Sequence, residues 1–209
     1  MHAQETESCA LRQSHFQYTA WYCEENIYQL LAKLTKDHAR AASQLFAVFV
    51  SNPQRQLPLW SQKAGNIDNM GFICYDYHVI AIELFPDQET LVYDFDSILP
   101  FPSKWRSYVH ATLLPLPQTS AGQYSRWFRK INAATFLSSF ASDRSHMRES
   151  DGSWKAPPPV HPCIVAEDGT TMNLEGLINM THSSSEEALA SSGQVLDEER
   201  FYRFCCHSQ

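Results

Sequence analysis

Long apolar runs are missing from this sequence: nowhere do about 18 apolar residues follow one another, so no membrane-spanning helix is expected. Cations are scarce. Lys and Arg number 16 against 23 Asp and Glu, a net charge of −7. Phosphate binding needs clustered basic side chains, so nucleic acid is excluded as the main partner. The stretch Met1 to His15 is polar and carries no apolar signal segment. These absences predict an intracellular protein, cytoplasmic and also nuclear, with no membrane partner. No Cys-x-x-Cys pair occurs, so the six cysteines are expected as reduced thiols. Cys205-Cys206-His207 comes nearest to a metal motif, but adjacent cysteines do not suit a tetrahedral zinc site, and a frayed tail is expected there. No metal or phosphate motif is found, and neither metal nor organic cofactor is predicted.

What remains is a globular composition: 209 residues, 44% apolar and 12% aromatic, enough for a full core. No internal repeat interrupts it. The expectation is one catalytic domain over 1–209, working as a monomer, with a polar leader at 1–20 and a mobile Ser- and Glu-rich segment at 181–192. Ile27, Leu30, Leu31 and Leu34 recur at helical spacing and predict a helix from Cys23 to about Lys36. Glu24 and Glu25 fall in its first turn, where carboxylates suit the helix dipole. Leu45 to Val50 reads as a strand, and Leu57 to Trp60 as another with Pro58 favouring an edge. Longer strands are predicted over Phe72–Leu84 and Thr90–Ser97, joined by a hairpin loop through Pro86. Helices are expected over Lys104–Leu113, Ala133–Phe140 and Met172–Ile178, the last with Asn173 as a possible cap, and a strand or helix over Glu198–Phe204. Ala141–Pro162 reads as a long ordered loop or lid. The sum is an α/β (α+β) fold with a mainly antiparallel sheet flanked by helices.

Three residues stand where thiol chemistry needs them. Cys23 opens a helix, where the dipole and an imidazolium lower a thiol pKa from about 8.5 and a backbone N–H is left to hold an oxyanion. Strand alternation puts Asp76, His78 and Ile80 on one face and Val92, Asp94 and Asp96 on another. A hairpin turning about Pro86 sets His78 opposite Asp94, whereas a register one residue away sets Phe95 there. A His–Asp pair fixes the imidazole tautomer and stabilises its charged form. Each residue also has a plainer reading: Cys23 as a buried thiol, His78 as a hydrogen-bonded core histidine, Asp94 as a turn cap. His146, in Asp143-Arg144-Ser145-His146, competes with His78.

The motifs at these positions resemble a known family. Tyr22-Cys23-Glu24-Glu25-Asn26-Ile27 is similar to the nucleophile segment of the eukaryotic protein N-terminal glutamine amidohydrolases. Tyr75-Asp76-Tyr77-His78-Val79 resembles their Trp-Asp-Tyr-His-Val motif, with Tyr75 in place of tryptophan, which changes packing beside the histidine. Tyr93-Asp94-Phe95-Asp96 with Leu99-Pro100-Phe101-Pro102 is similar to their third segment. Phe140 to Met147, Trp154, Pro157-Pro158-Pro159 and Met172-Asn173-Leu174 also agree. The resemblance covers roughly residues 20 to 180, and the region after Met180 matches poorly.

The resemblance implies hydrolysis of the side-chain amide of N-terminal glutamine in proteins and peptides, leaving glutamate and ammonia in the N-degron pathway. It implies a papain-like or transglutaminase-like sandwich with Cys23 as nucleophile, His78 as general base and acid, and Asp94 as orienting carboxylate. Selecting an N-terminus requires recognition of a free α-amine. Asp76, Asp96, Glu24 and Glu25 are the acidic candidates, and alternation favours Asp76 and Asp96. The rival readings are another papain-like cysteine hydrolase or transglutaminase, or a non-catalytic module that binds N-termini.

Overall fold

The computed structural model describes residues 11–36, 40–116, 121–181 and 192–206. Helix α1 spans Cys23–Lys36, as its apolar spacing predicts, and presses Ile27, Leu30, Leu31 and Leu34 into the core. The strands are β1 (Leu45–Ser51), β2 (Leu57–Leu59), β3 (Ile73–Tyr75), β4 (Tyr77–Glu83), β5 (Leu91–Tyr93), β6 (Ser103–Lys104), β7 (Trp127–Asn132) and β8 (Gln194–Asp197). The remaining helices are α2 (Trp105–Thr112), α3 (Ala121–Tyr124), α4 (Ala133–Ser139), α5 (Leu174–Ile178) and α6 (Glu198–Cys206). Six strands form an antiparallel sheet in the order β6-β5-β4-β1-β7-β8, and β2 and β3 pair separately.

Both faces of the central strands are buried, so their sequences read as continuous apolar runs. Alternation sends Ala47, Phe49, Val79 and Ala81 against α1 and α4. Val48, Val50, Ile80 and Ile82 meet Trp105 and Tyr108 of α2 and Phe201 of α6 on the other face. His78 belongs by parity to this second face and Tyr77 to the first, at the end of β4 where the two faces meet the site.

Several expectations change here. The strand foreseen over Phe72–Leu84 divides at Asp76, because β3 pairs with β2 while β4 pairs with β1. The Ser51 hydroxyl donates to the Asp76 carbonyl at 2.6 Å and holds the chain where it passes between sheets. The strand foreseen over Thr90–Ser97 is shorter, as β5 ends at Tyr93. Ala81 pairs with Tyr93, so the hairpin is two residues out of the expected register. An even offset leaves every side chain on its expected face. Residues 11–20 are not a leader detached from the fold: Phe16 is buried in the core and the Gln13 amide donates to the Phe95 carbonyl at 2.9 Å. Cys205 and Cys206 close α6 rather than fraying, with Cys205 buried and its carbonyl accepting from the Thr90 hydroxyl at 2.8 Å. Residues 1–10, His207 and most of 181–192 lie outside the described residues. Among the described residues no helix is long and apolar enough to cross a membrane.

Candidate active site

Cys23 is placed by a turn that its own helix fastens. Asn26 accepts from the Thr19 N–H at 2.8 Å and donates to the Thr19 carbonyl at 2.8 Å. Tyr22 is fully buried and its hydroxyl reaches the Ala156 carbonyl at 3.1 Å. Between these anchors Trp21 takes φ +75°, a left-handed conformation that costs a bulky residue roughly 1–2 kcal/mol. The turn delivers Cys23 to the first position of α1, in the wall of a cavity of about 540 Å³. His78, Asp76, Asp96 and His146 share that wall.

His78 and Asp94 come together directly. A carboxylate only accepts, so His78 Nε2 donates to Asp94 Oδ1, at 2.9 Å, leaving Nδ1 as the other ring nitrogen. Asp94 also accepts from the Tyr108 hydroxyl at 2.8 Å and the Asp96 N–H at 3.0 Å, with the Gln62 amide at 3.5 Å. Burial opposes ionisation of Asp94, but His78, Tyr108 and the Asp96 N–H together hold it below the usual carboxylate value. Burial alone would depress His78; the Asp94 carboxylate outweighs it, with help from Asp96 and Glu24, and the imidazole is raised. Tyr75 stacks on His78, ring centroids 5.1 Å apart at 17°, and donates through its hydroxyl to Gln62 at 3.2 Å.

The thiol behaves differently from the sequence expectation. Burial pushes Cys23 well above its ordinary value, the Glu24 and Asp96 carboxylates push further, and the Val79 N–H only partly offsets them. Glu24 is fully buried, 3.5 Å from Cys23 Sγ through Oε2, which also accepts from the Tyr77 hydroxyl at 3.0 Å. Glu24 Oε1 makes no hydrogen bond among the described residues and lies 3.4 Å from His146 Nε2. Glu25 points elsewhere, into a cluster of Arg144, Ser142 and His161. Arg144 therefore pairs with Glu25, and Asp143 instead accepts from the Ser145 N–H at 2.8 Å.

Of the acidic candidates, Asp76 and Asp96 line the cavity, Asp76 exposed and Asp96 accepting from the Tyr18 hydroxyl at 2.6 Å. Sequence reasoning did not find Tyr108, Gln62 or Tyr18 as partners of these carboxylates. Gln62 reaches Asp94 because its loop closes on itself: the Gln62 N–H donates to the Gly71 carbonyl at 3.0 Å. Gly71 sits at φ +66°, where a Cβ would come within 2.9 Å of Gln62 N. No spacing rule announces that closure. His78, Asp94 and Asp96 offer ligand atoms within 4.8 Å of one another, but His78 Nε2 and Asp94 Oδ1 already face each other in a hydrogen bond.

Comparison with known proteins agrees with this arrangement. The family model for N-terminal glutamine amidase matches residues 18–205. The protein N-terminal glutamine amidohydrolase of Arabidopsis thaliana is 45% identical over 188 residues, covering 88% of this chain and 84% of that relative. The Oryza sativa subsp. indica protein of the same name is 44% identical over 173 residues, 80% and 74% of the two chains. The Homo sapiens one is 38% identical over 163 residues, 78% of each. The chain belongs to the N-terminal glutamine amidase family.

Proposed function

We propose that this chain hydrolyses the side-chain amide of an N-terminal glutamine in proteins and peptides, through a cysteine nucleophile. The observation that carries the reading is the cavity walled by Cys23 and His78, with His78 held by Asp94 in a member of this family. Burial and the neighbouring carboxylates keep the resting thiol protonated. His78 Nδ1 takes that proton as Sγ attacks the glutamine side-chain carbonyl, and the N–H at the start of α1 receives the oxyanion. The imidazolium, stabilised by Asp94, passes its proton to the departing ammonia and a thioester remains. Water then gives a proton to the same nitrogen and attacks the thioester, releasing N-terminal glutamate and restoring the thiol.

Asp76 and Asp96 are the groups we assign to the substrate α-ammonium, because both line the cavity that holds Cys23. An ammonium seated there offsets the negative charge that holds the thiol protonated, so a free amine serves both binding and activation. Glu24, enclosed beside Sγ, acts on the nucleophile rather than on the amine in this reading. A helix carrying the nucleophile on an antiparallel sheet that carries histidine and aspartate supports a papain-like or transglutaminase-like fold. One catalytic domain suffices, since the cavity draws on residues from Tyr18 to Ile178. Free thiols at Cys23, Cys74, Cys163, Cys205 and Cys206 fit a reducing, cytoplasmic or nuclear setting. The glutamate product suits a following arginyl-transfer step in the N-degron pathway.

Mass spectrometry of a Gln-initiated peptide, incubated with wild type and with Cys23→Ala, tests the reading. Amide-to-acid conversion confined to the first residue, and absent with the variant, is expected. Equal conversion by both proteins would sink it, while new termini or cross-links would point to a peptidase or a transglutaminase.

A further inference from the structure

We propose that Trp21 is a specificity-determining residue whose indole forms a platform for the side chain of the substrate's second residue, favouring aromatic and large apolar side chains there. The inference rests on the reading that the chain deamidates N-terminal glutamine, and it adds a contact beyond the reacting residue.

Three observations converge on Trp21. Its φ of +75° is strained for a bulky side chain, and such strain persists where the surroundings dictate it, commonly at functional sites. Asn26, holding both backbone groups of Thr19, and the buried Tyr22 dictate it here. The strain does not serve packing, because the indole is 72% exposed, whereas Trp60, Trp105, Trp127 and Trp154 are buried or half-buried. An exposed indole that lines a cavity is an unfilled contact surface rather than scattered surface apolarity.

Position then selects the occupant. The glutamine carbonyl must reach Cys23 Sγ, so the first residue fills the cavity beside Cys23 and His78, and the rest of the peptide leaves over the rim. Trp21 stands two residues before the nucleophile at that rim. Tyr18, the neighbouring ring, is already engaged: it stacks on Phe95 with centroids 5.9 Å apart and its hydroxyl is held by Asp96. Trp21 has no ring partner among the described residues. Arg55 and Lys155 also line the cavity, which disfavours a cationic side chain at the second position.

The test compares kcat/KM for Gln-Phe and Gln-Gly peptides, otherwise identical, in wild type, Trp21→Phe and Trp21→Ala. Wild type is expected to prefer Gln-Phe by about tenfold, the scale of one aromatic stack with its buried area. Trp21→Phe retains most of that ratio and Trp21→Ala brings it near unity. A ratio does not respond to a general loss of folded enzyme, so a merely structural role for Trp21 leaves it unmoved. As a second measurement, titrating Cys23→Ala with the Gln-Phe peptide is expected to change the tryptophan emission, and the change disappears in Cys23→Ala/Trp21→Phe. Ammonia release with the same Phe-to-Gly ratio in all three proteins, or an emission change that survives Trp21→Phe, overturns the inference while leaving the amidohydrolase reading intact. No ammonia from wild type with either peptide overturns both.

Discussion

Glu24 and Glu25 are adjacent in the first turn of α1, both fully buried, and their surroundings differ in kind. Glu25 is saturated: Arg144 donates to it through Nε at 3.0 Å and Nη2 at 2.8 Å, and the Ser142 hydroxyl adds a bond at 3.0 Å. The same guanidinium reaches the Pro159 and His161 carbonyls, so this side of α1 ties the 142–162 segment to the nucleophile helix. Glu24 has one oxygen without a hydrogen bond and the other shared between Tyr77 and the reactive thiol. Successive helical side chains diverge by about 100°, which is enough to give one carboxylate to architecture and its neighbour to the nucleophile. A first-turn acid is ordinarily explained by the helix dipole; in this fold that explanation covers neither residue.

Glu25→Ala should produce the largest loss of stability, since it leaves the buried Arg144 guanidinium without its counter-charge. A cost of about 3–5 kcal/mol is expected in urea unfolding. A loss below about 1 kcal/mol would erase the contrast. Asp94→Asn should cost less and show a pH signature. Asp94 is held below its usual 3.8, so its contribution is present above that value and fades as pH falls through the folded pKa. His78 is held above its usual 6.5, so its contribution is whole below that value and fades as pH rises through the folded pKa. The stability gap between wild type and Asp94→Asn should therefore be widest between 3.8 and 6.5. A gap independent of pH across thermal melts would contradict the coupling.

Glu24→Gln should leave stability nearly unchanged and move chemistry instead. The Glu24 carboxylate raises the Cys23 pKa, so its removal lowers that pKa. The acid limb of the kcat/KM profile should then shift to lower pH. A shift upward, or an unmoved limb with a large stability loss, would place Glu24 in the same class as Glu25. Tyr77→Phe removes one hydrogen bond to the Glu24 carboxylate and is expected to cost about 1 kcal/mol, the smallest of the four changes in stability or chemistry.

Periodic segments were readable from sequence. Helix α1 and strand β1 follow from apolar spacing within a residue of the observed bounds, and the antiparallel β4–β5 hairpin follows from its loop. Strand β7 was not, because Arg129 and Lys130 look like surface residues. Arg129 is buried with its guanidinium on the Leu177 carbonyl at 2.9 Å, and Lys130 lies 4.5 Å from the centre of the Phe204 ring. Their partners come from segments remote in sequence. Asn173 shows the same limit: it precedes α5 as a cap would, yet its amide bridges the Ala141 N–H and the Ser139 carbonyl. At the candidate site, alternation placed His78 and Asp94 on compatible faces even with the register off by two. The Tyr108 and Gln62 supports depend on α2 and a closed loop meeting Asp94, which only tertiary packing decides.

The Asn26–Thr19 clasp bears on how this scaffold can change over generations. Because Asn26 and Tyr22 fasten the backbone on either side of position 21, the residue there can be exchanged without moving Cys23. Mutational drift at position 21 is thereby uncoupled from the reacting atoms. A lineage, or a designer using Trp21→Gly to relax the left-handed turn, can explore new partners at this one codon while the chemistry next door stays under separate selection.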